Sequence, residues 1–310
     1  MGPYQSVPTK TKHHSPKEEN SVAYSYLQAC ASEMQGWRNG MEDAHILQMN
    51  INGEGISIFG VFDGHGGKEV AQFVEKHYIE EITRLESYKN RDFEKALVES
   101  FYKTDELMES ESGQQELNQI RAGPNEEQSG GQSYAGCTAN VALFYKDNLY
   151  VSNAGDSRSV LCRNEKPYPM SEDHKPDNTD EKKRISDAGG FVSKGRVNGN
   201  LNLSRAMGDL EYKNNKDRPR DQQLIISKPD VKHTKLTKDD KFLLMGCDGI
   251  WECKTNEELI QYCKERIEKQ QDLKSINTEL LDEILASDTS NGVGCDNMSL
   301  ILINFTDIPQ

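Results

Sequence analysis

The chain has 310 residues and a formal net charge of -14 at pH 7, and this acidic balance argues against a nucleic-acid partner because phosphate binding requires a basic surface. Hydrophobic residues make up 35% of the chain without an apolar run that could cross a bilayer, so we expect a globular protein with no transmembrane segment and no signal peptide. The seven cysteines, an odd number without CxxC spacing, favour free thiols in a reducing compartment, which is the cytoplasm or the nucleus.

Residues 1–20 are rich in Lys, His, Ser and Pro and have no hydrophobic periodicity, which predicts a flexible N-terminal tail. The first residues, MGPYQS, place Gly2 and Ser6 as in a myristoylation signal. Pro3 disfavours that modification, and one acyl chain would give only marginal membrane association. No linker rich in Pro or Ser divides the remaining chain, so residues 21–310 are predicted to form a single domain.

Seven apolar runs rich in β-branched residues and bounded by turn residues predict strands. In chain order they are YSYLQACAS, ISIFGVF, TANVALFY, LYVSNAG, SVLCR, KFLLMGC and NMSLILINF. The third and fourth runs flank a short polar link, Lys146 to Asn148, and this arrangement predicts an antiparallel hairpin.

Three stretches have apolar residues at helical spacing, namely residues 70–85, 93–108 and 256–269. Thr255, with Glu258 three residues later, predicts a capping box at the start of the third helix. The polar stretches 109–133 and 212–223 predict surface loops that do not pack into the core. Strands with alternating faces, together with helices in separate stretches, indicate an α+β sandwich in which helices cover stacked antiparallel sheets.

Three acidic residues lie at the tips of predicted strands: Asp63, Asp248 and Asp296. A single Asp-Gly pair is more often a β-turn, but three carboxylates meeting at one sheet edge would repel by roughly 4 kcal/mol per pair at ~4 Å. Such a cluster requires a cation, and carboxylate and carbonyl oxygens suit Mg²⁺ or Mn²⁺. Cys247 precedes Asp248 on its strand and should therefore point to the opposite face and pack inward.

The stretch WRNGMEDAH adds an arginine and two further acids. Because side chains alternate, only one of Glu42 and Asp43 should enter the cluster. Arg38 is a planar donor suited to two phosphate oxygens, although an ion pair with Glu42 or Asp43 is the alternative interpretation.

Acids, an arginine and a histidine beside a metal cluster favour phosphoryl transfer, in which two metal ions bind the phosphoryl oxygens and activate a shared water. His65 in the turn FDGHGG is positioned to donate a proton to the leaving alkoxide. On residue type alone, the additional charged residues in NAGDSR and SRAMGD could be salt-bridged loop residues: Asp156, Arg158, Arg205 and Asp209.

The sequence resembles the metal-dependent serine/threonine protein phosphatases of type 2C over nearly its whole length. The motifs that carry the resemblance occur in the family's order: WRNGMEDAH, FGVFDGHGG, GCTAN, VSNAGDSR, EDHKPDNTDEKKRISDAGGFV, LNLSRAMGD, LMGCDGIWE and GCDNMSLILI. The resemblance implies a four-layer α/β/β/α sandwich of two antiparallel sheets flanked by helices. It also implies a pair of Mg²⁺ or Mn²⁺ ions and hydrolysis of phosphoserine and phosphothreonine in phosphoproteins without a covalent enzyme intermediate.

By position, the resemblance implies the metal ligands Glu42, Asp63, the Gly64 carbonyl, Asp248 and Asp296. Asp63 would bridge both ions, Asp248 and Asp296 would complete one site, and Glu42 with Gly64 would complete the other. The catalytic residues implied beside Asp63 are Arg38, which would bind the substrate phosphate, and His65, which would be the general acid.

The resemblance also implies a weaker third ion, bound by Asp156 together with Asp248 and Glu252. The family usually has Asp at the position of Glu252, and the extra methylene would displace the ion or replace a direct contact by a water. The loop at 212–223 resembles the family's variable flap and would either influence substrate choice or be an inert surface loop.

Two other functions compete with the phosphatase interpretation. A pseudophosphatase would keep the fold as a binding scaffold, but every expected ligand of the metal pair is present. An unrelated metal-dependent hydrolase or nuclease is disfavoured by the acidic surface and by the order of the motifs. We therefore expect residues 21–310 to be one phosphatase catalytic domain that acts as a monomer in signalling.

Overall fold

The computed structural model describes residues 4–123, 131 and 133–308. The strands are β1 (Tyr4–Ser15), β2 (Val22–Tyr24), β3 (Leu27–Arg38), β4 (Ala44–Gln48), β5 (Ile56–Phe62), β6 (Gly64–His65), β7 (Gly136–Cys137), β8 (Ala139–Tyr145), β9 (Asn148–Ala154), β10 (Arg158–Arg163), β11 (Lys166–Pro169), β12 (Val192–Ser193), β13 (Arg196–Val197), β14 (Met207–Gly208), β15 (Asp230–Lys235), β16 (Asp240–Gly246) and β17 (Met298–Phe305). The helices are α1 (Glu69–Arg84), α2 (Glu86–Lys89), α3 (Phe93–Glu109), α4 (Glu111–Ala122), α5 (Thr179–Asp187), α6 (Asp248–Trp251), α7 (Asn256–Glu268) and α8 (Leu273–Ile284).

Two antiparallel sheets form the centre of the protein. One has the strand order β1-β3-β17-β16-β10-β11, with β2 also paired to β3, and the other has the order β15-β9-β8-β5-β4. The seven predicted strands all lie in these sheets, and the predicted hairpin is confirmed because β8 pairs with β9 up to Tyr145 opposite Asn148.

The alternation of side chains along β5 explains the layers. Phe59 and Val61 belong to a core formed between the two sheets, whereas Ile58 and Phe62 point to the other face and pack with α1 and α3. Helices α7 and α8 contribute apolar residues to the core from the side of the larger sheet. Each sheet is thus covered by helices on its outer face, which confirms the predicted α+β sandwich with four layers.

The three predicted helices correspond to α1, α3 and α7. The capping box of α7 is confirmed, since Thr255 Oγ1 accepts from the Glu258 amide and the Glu258 carboxylate accepts from the Thr255 amide. Sequence analysis missed α5 and α8. Helix α8 begins after Asp272, whose side chain accepts from the Ser275 amide, so its start carries an N-cap signal that the sequence analysis did not use.

The prediction of a flexible tail for residues 1–20 is wrong for most of that segment. Strand β1 pairs antiparallel with β3, from Tyr4 opposite Arg38 to Ser15 opposite Ala31. Lys12 forms a 2.6 Å ion pair with Asp282 of α8. The strand is polar because it lies at a sheet edge and is held largely by backbone hydrogen bonds, which composition does not reveal. Gly2 of the myristoylation pattern lies outside the described residues.

The prediction of a loop at 109–133 is also wrong in part, because residues Glu111–Ala122 form α4. Ser110 caps this helix by accepting from the Gly113 amide, and Leu117 is buried. A single buried leucine gives little helical periodicity, which is why the sequence pattern missed the helix. Residues 124–130 and 132 of the predicted loop lie outside the described residues. The second predicted loop, residues 212–223, contains only short 3-10 turns and otherwise irregular chain.

Among the helices formed by the described residues, none has both the length and the apolar character that a bilayer-spanning segment requires. All seven cysteines are free thiols, and six of them are buried. This agrees with the expectation that they do not form disulfides.

We expect backbone amides of β1 that pair with β3 to exchange on the order of 10²-fold more slowly than amides of residues 17–20, because ladder hydrogen bonds protect them. Hydrogen exchange followed by mass spectrometry measures both segments in one experiment, and residues 17–20 serve as the internal control. Equally fast exchange in the two segments would contradict the pairing of β1 with β3 and would favour the prediction of a flexible tail.

Candidate active site

Strand ends from both sheets bring the predicted acidic residues to one cleft. In the larger sheet, Arg38 ends β3, Asp296 precedes β17 and Asp248 follows β16, and these three strands are neighbours. In the smaller sheet, Asp63 follows β5 and Asp156 follows β9. All five line a cleft of about 270 Å³. The convergence of the acids that the sequence predicts is therefore present.

The carboxylates in this cleft are close enough to require a cation. One oxygen from each of Asp63, Asp156 and Asp248 lies within 4.8 Å of the others. Burial, followed by the charge of Asp248, raises the pKa of Asp63 well above its usual value. Burial and then Asp156 raise the pKa of Asp248 in the same way. A divalent ion would remove this repulsion, and the all-oxygen donor set fits Mg²⁺ or Mn²⁺.

Glu42 and Gly64 meet at the rim of the same cleft. The Glu42 amide donates to Asn297 Oδ1 at 2.9 Å, which ties Glu42 to the residue after Asp296. A Cβ atom on Gly64 would lie 2.2 Å from the Glu42 carbonyl oxygen, so the two segments approach closely only because position 64 is glycine.

Asp43 is buried behind the cleft and does not line it, in agreement with the prediction that only one of the two neighbouring acids enters the site. Burial raises the pKa of Asp43 to about 7, although hydrogen bonds from Ser299 and Cys247 oppose that rise. Cys247 packs inward as predicted, and its Sγ lies within 4.8 Å of a carboxylate oxygen of Asp43 and of Asp63. Burial raises the pKa of this thiol well above its usual value, which favours the neutral thiol in the metal-free protein.

Arg38 forms an ion pair with a different acid from those considered in the sequence. Its Nη2 donates to Asp296 Oδ2 at 2.5 Å, rather than to Glu42 or Asp43. Arg38 Nε is buried and has no hydrogen-bond partner within the described part of the chain. The Arg38 side chain as a whole lines the cleft and is 31% exposed.

His65 is oriented by Asp209, an acid that no sequence pattern links to it. His65 Nε2 lies 2.8 Å from Asp209 Oδ2, and a Cβ on Gly136 would lie 2.4 Å from that same oxygen. Burial alone would lower the pKa of His65, but the carboxylates of Asp209, Asp156 and Glu42 together outweigh burial and raise it. The protonated imidazole is thus favoured beside the acidic cleft.

Asp156, the candidate ligand for a third ion, also has a partner that sequence analysis missed. Lys175 Nζ forms an ion pair with Asp156 Oδ2. Glu252 lies beside this pair, where burial raises its pKa and the charge of Lys175 opposes that rise. Lys175 lies within one of the quoted motifs, but only the folded arrangement brings it to Asp156, 19 residues earlier in the chain.

Arg158 and Arg205 form ion pairs with acids that do not line the acidic cleft. Arg158 forms a bidentate pair with Asp173, with distances of 2.6 and 2.9 Å. Arg205 pairs with Glu181 and Asp230, each at 2.7 Å. The interpretation of these two arginines as salt-bridged residues is therefore confirmed.

The loop at 212–223 lines a separate cleft with α3 and α4 and contributes nothing to the lining of the acidic cleft, as far as the described residues extend. Its influence on substrate choice stays a prediction.

A two-sheet sandwich with carboxylates at one end, flanked by an arginine and a histidine, defines a metal-dependent hydrolase of phosphate esters. A family model described as "Protein phosphatase 2C" matches residues 28–293. "Protein phosphatase 2C 1" of Paramecium tetraurelia is 56% identical over 307 residues, which cover 98% of this chain and 99% of the relative. "Probable protein phosphatase 2C 21" of Arabidopsis thaliana is 40% identical over 337 residues, which cover 98% of this chain and 93% of the relative.

The crystal structure of serine-threonine phosphatase 2C from Toxoplasma gondii has the same fold, with a TM-score of 0.76, 17% identity and coverage of 97% of this chain and 98% of the other. The chain belongs to the protein phosphatase 2C family, as its motifs predicted. It is a metal-dependent serine/threonine protein phosphatase.

We expect Asp248→Asn to stabilise the metal-free protein at neutral pH by about 1–3 kcal/mol, because it removes a buried carboxyl group that must either take up a proton on folding or carry a charge beside other carboxylates. The raised pKa of Asp248 means that the folded state retains a proton that the unfolded state has released. The stability of the chelated wild type therefore falls as pH rises from the usual Asp pKa to the raised one. The stability of the Asp248→Asn variant should fall less over the same pH range.

Urea unfolding at about pH 5 and about pH 8 measures this difference. Asp217→Asn, on the exposed loop, is the control and should leave the free energy of unfolding unchanged at both pH values. At a metal concentration 100 times Kd, the free energy of unfolding of the wild type should rise by about 2.7 kcal/mol, and that of the Asp248→Asn variant should rise by less. A variant that is less stable than the wild type without metal, with an unchanged pH slope, would contradict the repulsion inferred for this cluster.

Proposed function

We propose that the protein hydrolyses phosphoserine and phosphothreonine in other proteins by direct attack of water, with the acidic cleft as its active site. The observation that carries the proposal is the convergence of Asp63, Asp156 and Asp248, whose carboxylate oxygens lie within 4.8 Å of one another. Such a group is costly without a divalent ion and becomes useful with one.

In this proposal two Mg²⁺ or Mn²⁺ ions are held by Glu42, Asp63, the Gly64 carbonyl, Asp248 and Asp296. Bound ions would supply an acidified water as the attacking group and positive charge that balances the phosphoryl oxygens. Asp63 follows a strand of the smaller sheet, and one of its oxygens lies within 4.8 Å of an oxygen of Asp248 from the larger sheet. From this location Asp63 would contribute to both metal positions. Asp156 and Glu252 would hold a weaker third ion together with Asp248.

Arg38 binds the substrate phosphate, and its position in the lining of the cleft, with a side chain that is 31% exposed, supports this role. The Nη2 bond to Asp296 holds the guanidinium in place. His65 donates a proton to the leaving alkoxide of serine or threonine, and Asp209 orients the ring and favours its protonated form. No covalent intermediate is required, because the attacking group is water.

A scaffold without catalysis is the second candidate function, and the complete set of candidate ligands argues against it. We propose further that residues 21–310, together with β1, which belongs to the larger sheet, act as one catalytic domain and as a monomer in cytoplasmic or nuclear signalling. The free and mostly buried cysteines support a reducing compartment.

We expect the chelated enzyme to be inactive and to release phosphate from a phosphothreonine peptide once Mn²⁺ or Mg²⁺ is restored. Asp63→Asn should lower kcat by roughly 10²- to 10³-fold or more, because the group that links the two ions is lost. A phosphate-release assay measures the metal dependence and the effect of Asp63→Asn, with Asp307→Asn, at an exposed position after β17, as the control that keeps wild-type activity. Binding of the phosphopeptide with no metal-dependent turnover would favour the scaffold.

We expect His65→Gln to lower kcat on a phosphothreonine peptide by roughly 10²- to 10⁴-fold, because an alkoxide leaving group needs a proton. The loss should be much smaller on an activated aryl phosphate, whose leaving group is stable as an anion. Steady-state rates on both substrates test the role, and His233→Gln on the exposed part of β15 is the control. An equal loss on both substrates would remove the role of proton donor.

A further inference from the structure

Lys175 brings an ammonium group into the acidic cleft. Its Nζ donates to Asp156 Oδ2, and Asp156 is only 2% exposed. One oxygen of this same carboxylate group lies within 4.8 Å of oxygens from Asp63 and Asp248. The cation of Lys175 is therefore bound to the carboxylate that a third metal ion would need.

The position of Lys175 is fixed by buried neighbours. The amide of His174 donates to the Gly155 carbonyl at 2.9 Å, and the His174 ring accepts from the Gly155 amide at 3.2 Å through Nδ1. The Ser204 hydroxyl donates to the His174 carbonyl at 2.9 Å. The residue before Lys175 is thus bonded to the residue before Asp156, so the fold itself pairs the ammonium with the carboxylate.

The surrounding charges act on Lys175 together. Burial opposes the charged form of Lys175, but Asp156 and Asp248 outweigh burial and raise its pKa. The charge of Lys175 also lowers the pKa of Glu252, against the effect of burial. The ammonium therefore interacts with all three acids of the third metal position.

We propose that Lys175 competes with a divalent cation for Asp156 and so sets the concentration at which a third ion binds. This inference rests on the third metal position proposed above. A divalent ion that approaches Asp156 is repelled by the ammonium and must displace it. The Lys175 side chain is 40% exposed, and its flexible stem allows the ammonium to move into solvent.

The test is a titration of metal-free protein with Mn²⁺, in which free Mn²⁺ is measured by electron paramagnetic resonance. For the wild type we expect two tightly bound ions and a weaker third. Lys175→Met should lower the dissociation constant of the third ion at least tenfold and leave the first two unchanged. Lys175→Arg, which keeps the charge, should resemble the wild type. If Lys175→Met does not fold, Lys175→Gln removes the same charge and keeps a hydrogen-bond donor.

Two controls identify the source of any change. Asp156→Asn should abolish third-ion binding in both the wild-type and the Lys175→Met backgrounds. Lys182→Met removes an exposed lysine whose ion pair with Asp177 spans 3.1 Å, and it should have no effect. A third-ion dissociation constant that is equal in Lys175→Met and wild type, with two tight ions bound, overturns this inference alone. Absence of any tight Mn²⁺ binding by the wild type overturns the proposed metal site itself.

A second measurement does not depend on turnover. Without metal, Lys175→Met should melt at a temperature lower by about 2 °C or more, because it leaves the buried Asp156 carboxylate without its cation. Saturating Mn²⁺ should remove most of that difference, since the ion replaces the lost charge. A difference that persists unchanged at saturating Mn²⁺ would mean that Lys175 has only a structural role.

Discussion

The concentration of buried negative charge at one end of the sandwich is the constraint on which the rest of the structure depends. Both sheets end their strands at the same edge, so acidic residues from distant parts of the chain meet there. Carboxylates removed from water are costly unless cations or hydrogen-bond donors surround them. The fold meets part of this requirement with Arg38 on Asp296 and Lys175 on Asp156. Divalent ions meet the remainder, so the need for metal follows from the geometry of the strand ends.

Sequence patterns predicted the elements that are buried on both faces and missed those that are held mainly by backbone bonds or by few apolar contacts. Strand β5 is apolar throughout because one face meets the second sheet and the other meets helices. Strand β1 is polar, and its pairing with β3 depends on ladder bonds that any composition can make. Helix α4 buries little more than Leu117, which leaves almost no periodic signal.

The residue types of the site were predictable, but their side-chain partners were not. Acids that follow or precede apolar strands indicate a cluster at a sheet edge, because strand ends share that edge. The pairing of Arg38 with Asp296 joins residues 258 positions apart, and that of His65 with Asp209 joins residues 144 positions apart. Local periodicity carries no information about such pairs, which depend on how distant loops pack against each other.

The carboxylates of the cleft fall into two groups that differ in how their charge is balanced. Asp296 and Asp156 each bind a cation of the protein, whereas Asp63 and Asp248 have no ion pair within the described residues. The carboxylates without a protein cation therefore have the greatest need for exchangeable metal ions. At the two others, the proposed ligands would compete with an existing ion pair: a substrate phosphate would share Arg38 with Asp296, and a third ion would compete with Lys175 for Asp156. On these proposals the protein's own cations would set how readily the cleft binds substrate and additional metal, while the acids without such partners would account for its need for metal.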